Sequence, residues 1–240
     1  AFFNKGTEAL AQDSVEKALN LFYKAIELDA SFADAQAKIA EGYFVAGLKH
    51  RAERNSKMAD AMFEQSDVYV KKALSIDSDN GAAHYVIGLM RNDKQDFDEA
   101  IRELEKAEAR GVTTFELHSM LGFLYNEKSV TAKSVEQYQK ALDRRPDDIK
   151  TLFNLGELYF WLGNYNKSVK HYGELLKYYK PDNSNSSNNS TYRANYAAAI
   201  WKDGNEAKAK ELFNQLLTAD EGKNWRNYNS VAWALIDKDI

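Results

Sequence analysis

The 240-residue sequence predicts an all-α fold, a solenoid of about six helix-turn-helix pairs followed by one C-terminal helix. Three observations predict it. Gly88, Gly122 and Gly156 stand 34 residues apart, and self-similarity at such a fixed period is the mark of stacked repeats. Apolar residues recur at i, i+4, i+7, as in Ala18, Phe22 and Ala25, which puts them on one face of a helix with small residues that let a partner helix approach. Finally, 44% hydrophobic, 28% charged and 12% aromatic residues are the balance of a folded chain with enough bulk for a continuous core.

Within 149–182, Leu155-Gly156, Tyr159, Tyr165, Ser168 and Tyr172 occupy fixed slots. The preceding copy repeats them with Leu121-Gly122, Tyr125, Ser134, Tyr138, Ala141 and Pro146. This pattern of Leu-Gly, then Tyr, then small and aromatic positions within 34 residues resembles the tetratricopeptide repeat. The resemblance covers nearly the whole chain. It implies a right-handed superhelix whose first helices line a concave groove that holds a peptide or protein surface.

In chain order, residues 1–32 form a shortened first repeat with Gly6, Ala9, Ala18, Phe22 and Ala25 in the small and aromatic slots. The second, 33–80, carries Ile39-Ala40, Tyr43, Val70 and Ala73, but between Tyr43 and Ser66 it holds 14 residues more than the family spacing allows. The extra stretch, Gly47 to Ala61, is rich in Ala, Lys, Arg, Glu and Met and has no Pro, so it should extend both helices by about two turns, roughly 10 Å each, into a projecting hairpin. The third repeat, 81–114, has Ile87-Gly88, Phe97, Ala100, Leu104 and Ala107, with Arg91 weakening the packing of the Tyr slot. Repeats 115–148 and 149–182 follow without gaps. The polar tract Lys180 to Ser190 reads as a mobile loop, after which repeat six (190–223) resumes with Ala197, Gly204, Ala209, Phe213 and Leu216. A terminal helix over 225–237 is a cap or half a repeat. One elongated domain spanning 1–240 is expected.

A formal charge of -4 offers no basic footprint for nucleic acid, and no apolar run approaches the ~20 residues of a membrane span. The absence of cysteine rules out disulfides and thiolate metal sites but leaves the compartment open. A first residue of Ala1 suggests an upstream signal or lipid anchor removed or omitted. No catalytic motif, metal site or cofactor site is found. His84 and His118 fall in equivalent repeat slots and read as core rings, and His50 and His171 have no motif around them. Asp77 to Gly81 has its glycine one residue early for a calcium loop and reads as an inter-repeat turn. The triplets at Asn185, Asn188 and Asn189 matter as glycosylation sites only in a secreted eukaryotic chain.

The candidate binding residues lie on late first helices. Phe153, Glu157 and Phe160 form an i, i+4, i+7 stripe on the side that the family turns toward its groove, joined by Asn154, Trp161, Asn195, Trp201, Lys202 and Trp233. The alternative is that these rings pack between repeats. Family members that clamp a C-terminal carboxylate use Lys, Asn and Arg; here Phe153 and Glu157 stand in two of those positions and only Asn195 and Arg226 match, so Glu157 would repel such a ligand. The expected function is a non-catalytic scaffold that binds a peptide or helix of a protein partner. The alternatives are a self-assembling or envelope-associated homo-oligomer and, third, a small-molecule carrier.

Overall fold

Most helices begin where the sequence supplies an oxygen for the otherwise unpaired first amides. Asn80 Oδ1 accepts from Ala83 N at 2.9 Å, Thr114 Oγ1 from Leu117 N at 3.2 Å and Asp148 Oδ1 from Thr151 N at 2.8 Å. Asn55, Asn164 and Asn205 cap second helices in the same way. The turn inside every pair also repeats, with a left-handed residue one position past the first helix's C-cap: Asp13, Arg54, Gln95, Ser129, Gly163 and Gly204.

The computed structural model describes residues 1–179 and 187–219, with the side chains of 187–189 and 217–219 left aside. The helix expected over 225–237, with Trp233, and Arg226 lie outside the described residues, as does Asn185. Among the described residues there are twelve helices and no strand. They fall into two compact units that divide between Thr113 and Thr114, where the sequence suggests one domain.

The first unit holds α1 (Phe2–Ala11), α2 (Val15–Leu28), α3 (Ala33–Ala52), α4 (Ser56–Ile76), α5 (Gly81–Asp93) and α6 (Phe97–Ala109). Each odd helix packs on the next even one, and α2 and α3 in turn carry the following pair. The expected elongation of the second pair is present: α3 has 20 residues and α4 has 21, against 13 each in α5 and α6. Asp77 to Gly81 is an inter-repeat turn, where Asp77 Oδ1 accepts from Asp79 N and Asn80 Nδ2 donates to Asp34 Oδ1 at 2.7 Å. Arg91 does not weaken a packed slot. It is exposed and faces Asp96 at 4.0 Å, because a long cation leaves the core for water where a tyrosine would enter it.

The second unit holds α7 (Phe115–Glu127), α8 (Thr131–Arg144), α9 (Ile149–Trp161), α10 (Tyr165–Tyr178), α11 (Ser187–Lys202) and α12 (Glu206–Ala219). Ser187 to Ser190 are therefore helical rather than loop. Serine and asparagine at a helix start match what the first turn favours, and the polar composition conceals it. Residues 180–186 lie outside the described residues.

One joint explains why a pair closes as it does. Ser134 Oγ donates to the Gly122 carbonyl at 2.7 Å and Ser168 Oγ to the Gly156 carbonyl at 2.8 Å, each across 12 residues. Ser66 Oγ makes the same bond to the Ala40 carbonyl at 2.8 Å across 26, so the 14 additional residues enter between two unchanged partners. Beside this joint the ring of Tyr138 lies 2.6 Å from where a Cβ on Gly122 would sit, and that of Tyr172 lies 2.7 Å from one on Gly156. The 34-residue glycine period marks where a bulky side chain of the second helix crosses the first, Leu104 at Gly88 and a tyrosine ring at Gly122 and Gly156.

Candidate functional site

The late first helices divide the candidate residues into locks and free faces. The two asparagines are locks. Asn154 Nδ2 donates to Tyr138 Oη at 2.9 Å, and Asn195 Nδ2 to Tyr172 Oη at 3.4 Å, so each ties the ring at one repeat's joint to the first helix of the next. Their amides thus bond within the stack, where the sequence reading counts them among the candidate binding residues. Burial pushes the Tyr138 hydroxyl up to about 12, although the Asn154 bond works the other way.

Trp201 is also internal, only 3% exposed, in a cluster with Ala197, Ala198, Ala209, Phe213 and Leu216. The alanines around it leave room for the ring against α12, which leaves it no face for a ligand. Lys202 at the end of α11 is half-buried. Phe153 is half-buried, with its ring 5.9 Å from Tyr172 and 5.3 Å from Tyr192. Phe160 is half-buried and packs at one edge on the Trp201 cluster, with Tyr165 at 5.4 Å.

What remains open is the end of α9. Trp161 is 72% exposed and meets Phe160 edge-on at 5.7 Å, and Leu162 beside it is 55% exposed. Glu157 lies on the same helix one turn earlier, half-buried, and no hydrogen bond or ion pair to it exists among the described residues. Burial alone pushes its carboxyl above the ordinary value, while its charge raises both Tyr138 and Tyr172. A carboxylate held between tyrosine rings without a cation is an electrostatic demand that a ligand can answer. Phe123 on α7, 40% exposed, stands one 34-residue period before Glu157. It was legible from that period and is absent from the residues singled out by sequence.

The histidines divide differently. His84 Nδ1 is 2.6 Å from Glu103 Oε2, and His118 Nδ1 is 2.8 Å from Gln137 Oε1, both buried between the helices of one pair. Burial raises Glu103, but bonds from Lys106 and His84 hold it below the ordinary value. His171 stacks on Tyr159 at 5.4 Å, and burial, with the Lys170 and Lys167 charges, pulls it down to about 4. These contacts account for the rings as interior packing. Among the described residues no group of three or more His, Cys, Asp or Glu is arranged to hold a metal, and no helix is long and apolar enough to cross a membrane.

Comparison with known proteins agrees with this architecture. The Tetratricopeptide repeat family profile matches residues 149–182, the pair formed by α9 and α10. No curated protein sequence matches the chain. Among solved structures, Pseudomonas aeruginosa PilF is similar at a TM-score of 0.61 and 19% identity, over 97% of this chain and 96% of that one. YrrB, described as a TPR protein with an unusual peptide-binding site, gives 0.62 and 18%, over 88% and 97%. PilW, described as a widely conserved type IV pilus biogenesis factor, gives 0.56 and 14%, over 96% of each. At these identities the likeness is one of fold alone. The segment 149–182 is thus a tetratricopeptide repeat, and the helix pairs along the chain have the fold of the solved tetratricopeptide-like relatives.

Proposed function

We propose that this protein is a non-catalytic scaffold that binds a segment of a protein partner on the first-helix face of its second unit, centred on Glu157 and Trp161. The observation that carries the reading is Glu157, a half-buried carboxylate without a cation, on the helix that ends in a 72% exposed tryptophan. A Lys or Arg of the partner placed at Glu157 satisfies the carboxylate, and its aliphatic stem or a neighbouring apolar side chain lies against Phe160 and Trp161. Aromatic anchors of this kind dominate binding energy where they are covered on association. The YrrB likeness supports the choice of a peptide-like ligand only as far as a shared fold does.

The test is a selection of random peptides on the intact chain. The reading expects enriched sequences with a Lys or Arg next to an apolar residue, and expects them to lose about ten-fold or more in affinity for Trp161→Ala and Glu157→Gln proteins. Peptides without a cation, or with equal affinity for both variants, contradict it.

A further inference from the structure

The elongated α3–α4 hairpin sets its pair apart from the shorter ones. Beside it opens a cleft of about 810 Å³, bounded by α3, α4 and the end of α5. Phe44, Phe63, Val68 and Met90 form its apolar floor, with the Phe44 and Phe63 rings 5.7 Å apart. Asp60, Glu64 and Asp67, at i, i+4 and i+7 on α4, stand along one side. Asp60 and Glu64 have no hydrogen bond or ion pair among the described residues, and Asp67 pairs only with exposed Lys71 at 2.5 Å. Lys94 is the one cation that lines the cleft.

The cleft already shows how it treats a cation. Arg51, from the added part of α3, places its guanidinium 5.4 Å over the Phe63 ring and bonds Asp93 with both terminal nitrogens, one at 2.8 Å. Aromatic face and carboxylate together hold one guanidinium of the chain itself. Asp60 and Glu64 repeat the carboxylate half of that arrangement next to the same ring, without an internal cation to fill it.

We propose that this cleft is a second docking site, for a basic amphipathic helical segment of a protein partner. The occupant's apolar side chains enter over Phe63, Val68 and Met90. Its Lys or Arg residues at i, i+4 spacing match Asp60 and Glu64, which carry that spacing on α4. Charge complementarity selects the occupant, since an acidic rim over an apolar floor disfavours both an acidic peptide and an uncharged one. The lengthened α3–α4 hairpin is then the binding device of the first unit, separate from the α9 face of the second.

The experiment titrates the full chain with an 18-residue amidated peptide of Leu and Lys patterned as an amphipathic helix, and with the same peptide carrying Glu for Lys. The Lys peptide should bind and the Glu peptide should not. Asp60→Lys/Glu64→Lys should weaken the Lys peptide by about ten-fold or more. Val68→Ser, at a 40% exposed position, should weaken it by about five-fold. The control Glu8→Lys/Glu27→Lys shifts net charge equally at exposed sites on α1 and α2 and should leave affinity within about two-fold. Equal losses in the two reversals mean diffuse attraction to an acidic protein and overturn the proposal, as does failure of the Lys peptide to bind. Sedimentation of the free chain adds a further check: a dimer that the Asp60→Lys/Glu64→Lys change dissociates assigns the cleft to a second copy and overturns it too.

Discussion

Trp161→Ala and Trp201→Ala should separate binding from folding. The two residues sit on consecutive first helices of the second unit, and both belong to the aromatic surface that the sequence assigns to a groove. Trp201 is 3% exposed inside the α11–α12 cluster, and truncation of a buried Trp removes its transfer energy and leaves a cavity, about 3 to 5 kcal/mol in all. For a chain of this size each 1 kcal/mol moves the melting temperature by about 2 to 4 °C, so the second unit should melt roughly 6 to 20 °C lower. Trp161 is 72% exposed and loses chiefly its edge-on contact with Phe160, about 0.5 to 1.5 kcal/mol, a shift of a few degrees at most. In binding the order reverses. A selected peptide should lose about 2 kcal/mol or more against Trp161→Ala and little against the folded fraction of Trp201→Ala. Melting followed by circular dichroism and affinity by calorimetry, on the same two preparations, give both orders. Reasoning from exposure is refuted if Trp161→Ala melts as low as Trp201→Ala, or if it binds as wild type does.

Other expectations follow from individual contacts. Gly156→Ala drives a Cβ to 2.7 Å from the buried Tyr172 ring and should destabilise by about 1 to 3 kcal/mol, whereas Gly173→Ala, with its nearest neighbour at 3.6 Å, should stabilise by up to about 1 kcal/mol in urea titration. His171 is held near 4 against an ordinary 6.5, so the unfolded chain takes up its proton first: stability should fall as pH drops from 6.5 to 4, and His171→Gln should flatten that slope. Glu157 has the opposite sign, since a raised carboxyl favours the fold below 4.5 and loses that advantage as pH rises through its folded value. Glu157→Gln should therefore be more stable than wild type at pH 7 and indistinguishable at pH 4, and a less stable variant at pH 7 would show that an unrecognised partner holds the carboxylate.

The helix pairs were legible because one structural need recurs at one spacing. A first helix must be small at Gly88, Gly122 and Gly156 where the second crosses it, and that need prints itself on the chain every 34 residues. The 14-residue extension was legible for the same reason, as an interruption of the period in helix-forming residues. The site was less legible. Phe153, Phe160, Trp161 and Trp201 look alike in sequence, but whether each ring meets solvent depends on its neighbours, here Tyr192 of the next pair against Phe153 and α12 of the same pair against Trp201. For the asparagines, an amide suits a ligand and a tyrosine hydroxyl equally, and no residue spacing records the bonds of 2.9 and 3.4 Å to Tyr138 and Tyr172. Glu157 stands out by what fails to approach it, which no residue spacing records.

The most direct measurement is a charge-swap cycle at Glu157. A selected peptide and its variant with Glu in place of the cation are each titrated against wild type and Glu157→Lys, at low salt. The account predicts that each single reversal weakens binding and that the double reversal recovers it, with a coupling of about 1 kcal/mol or more between the two charges. Additive losses, with no recovery in the doubly reversed pair, would contradict a partner cation at Glu157 and with it the placement of the binding face on α9.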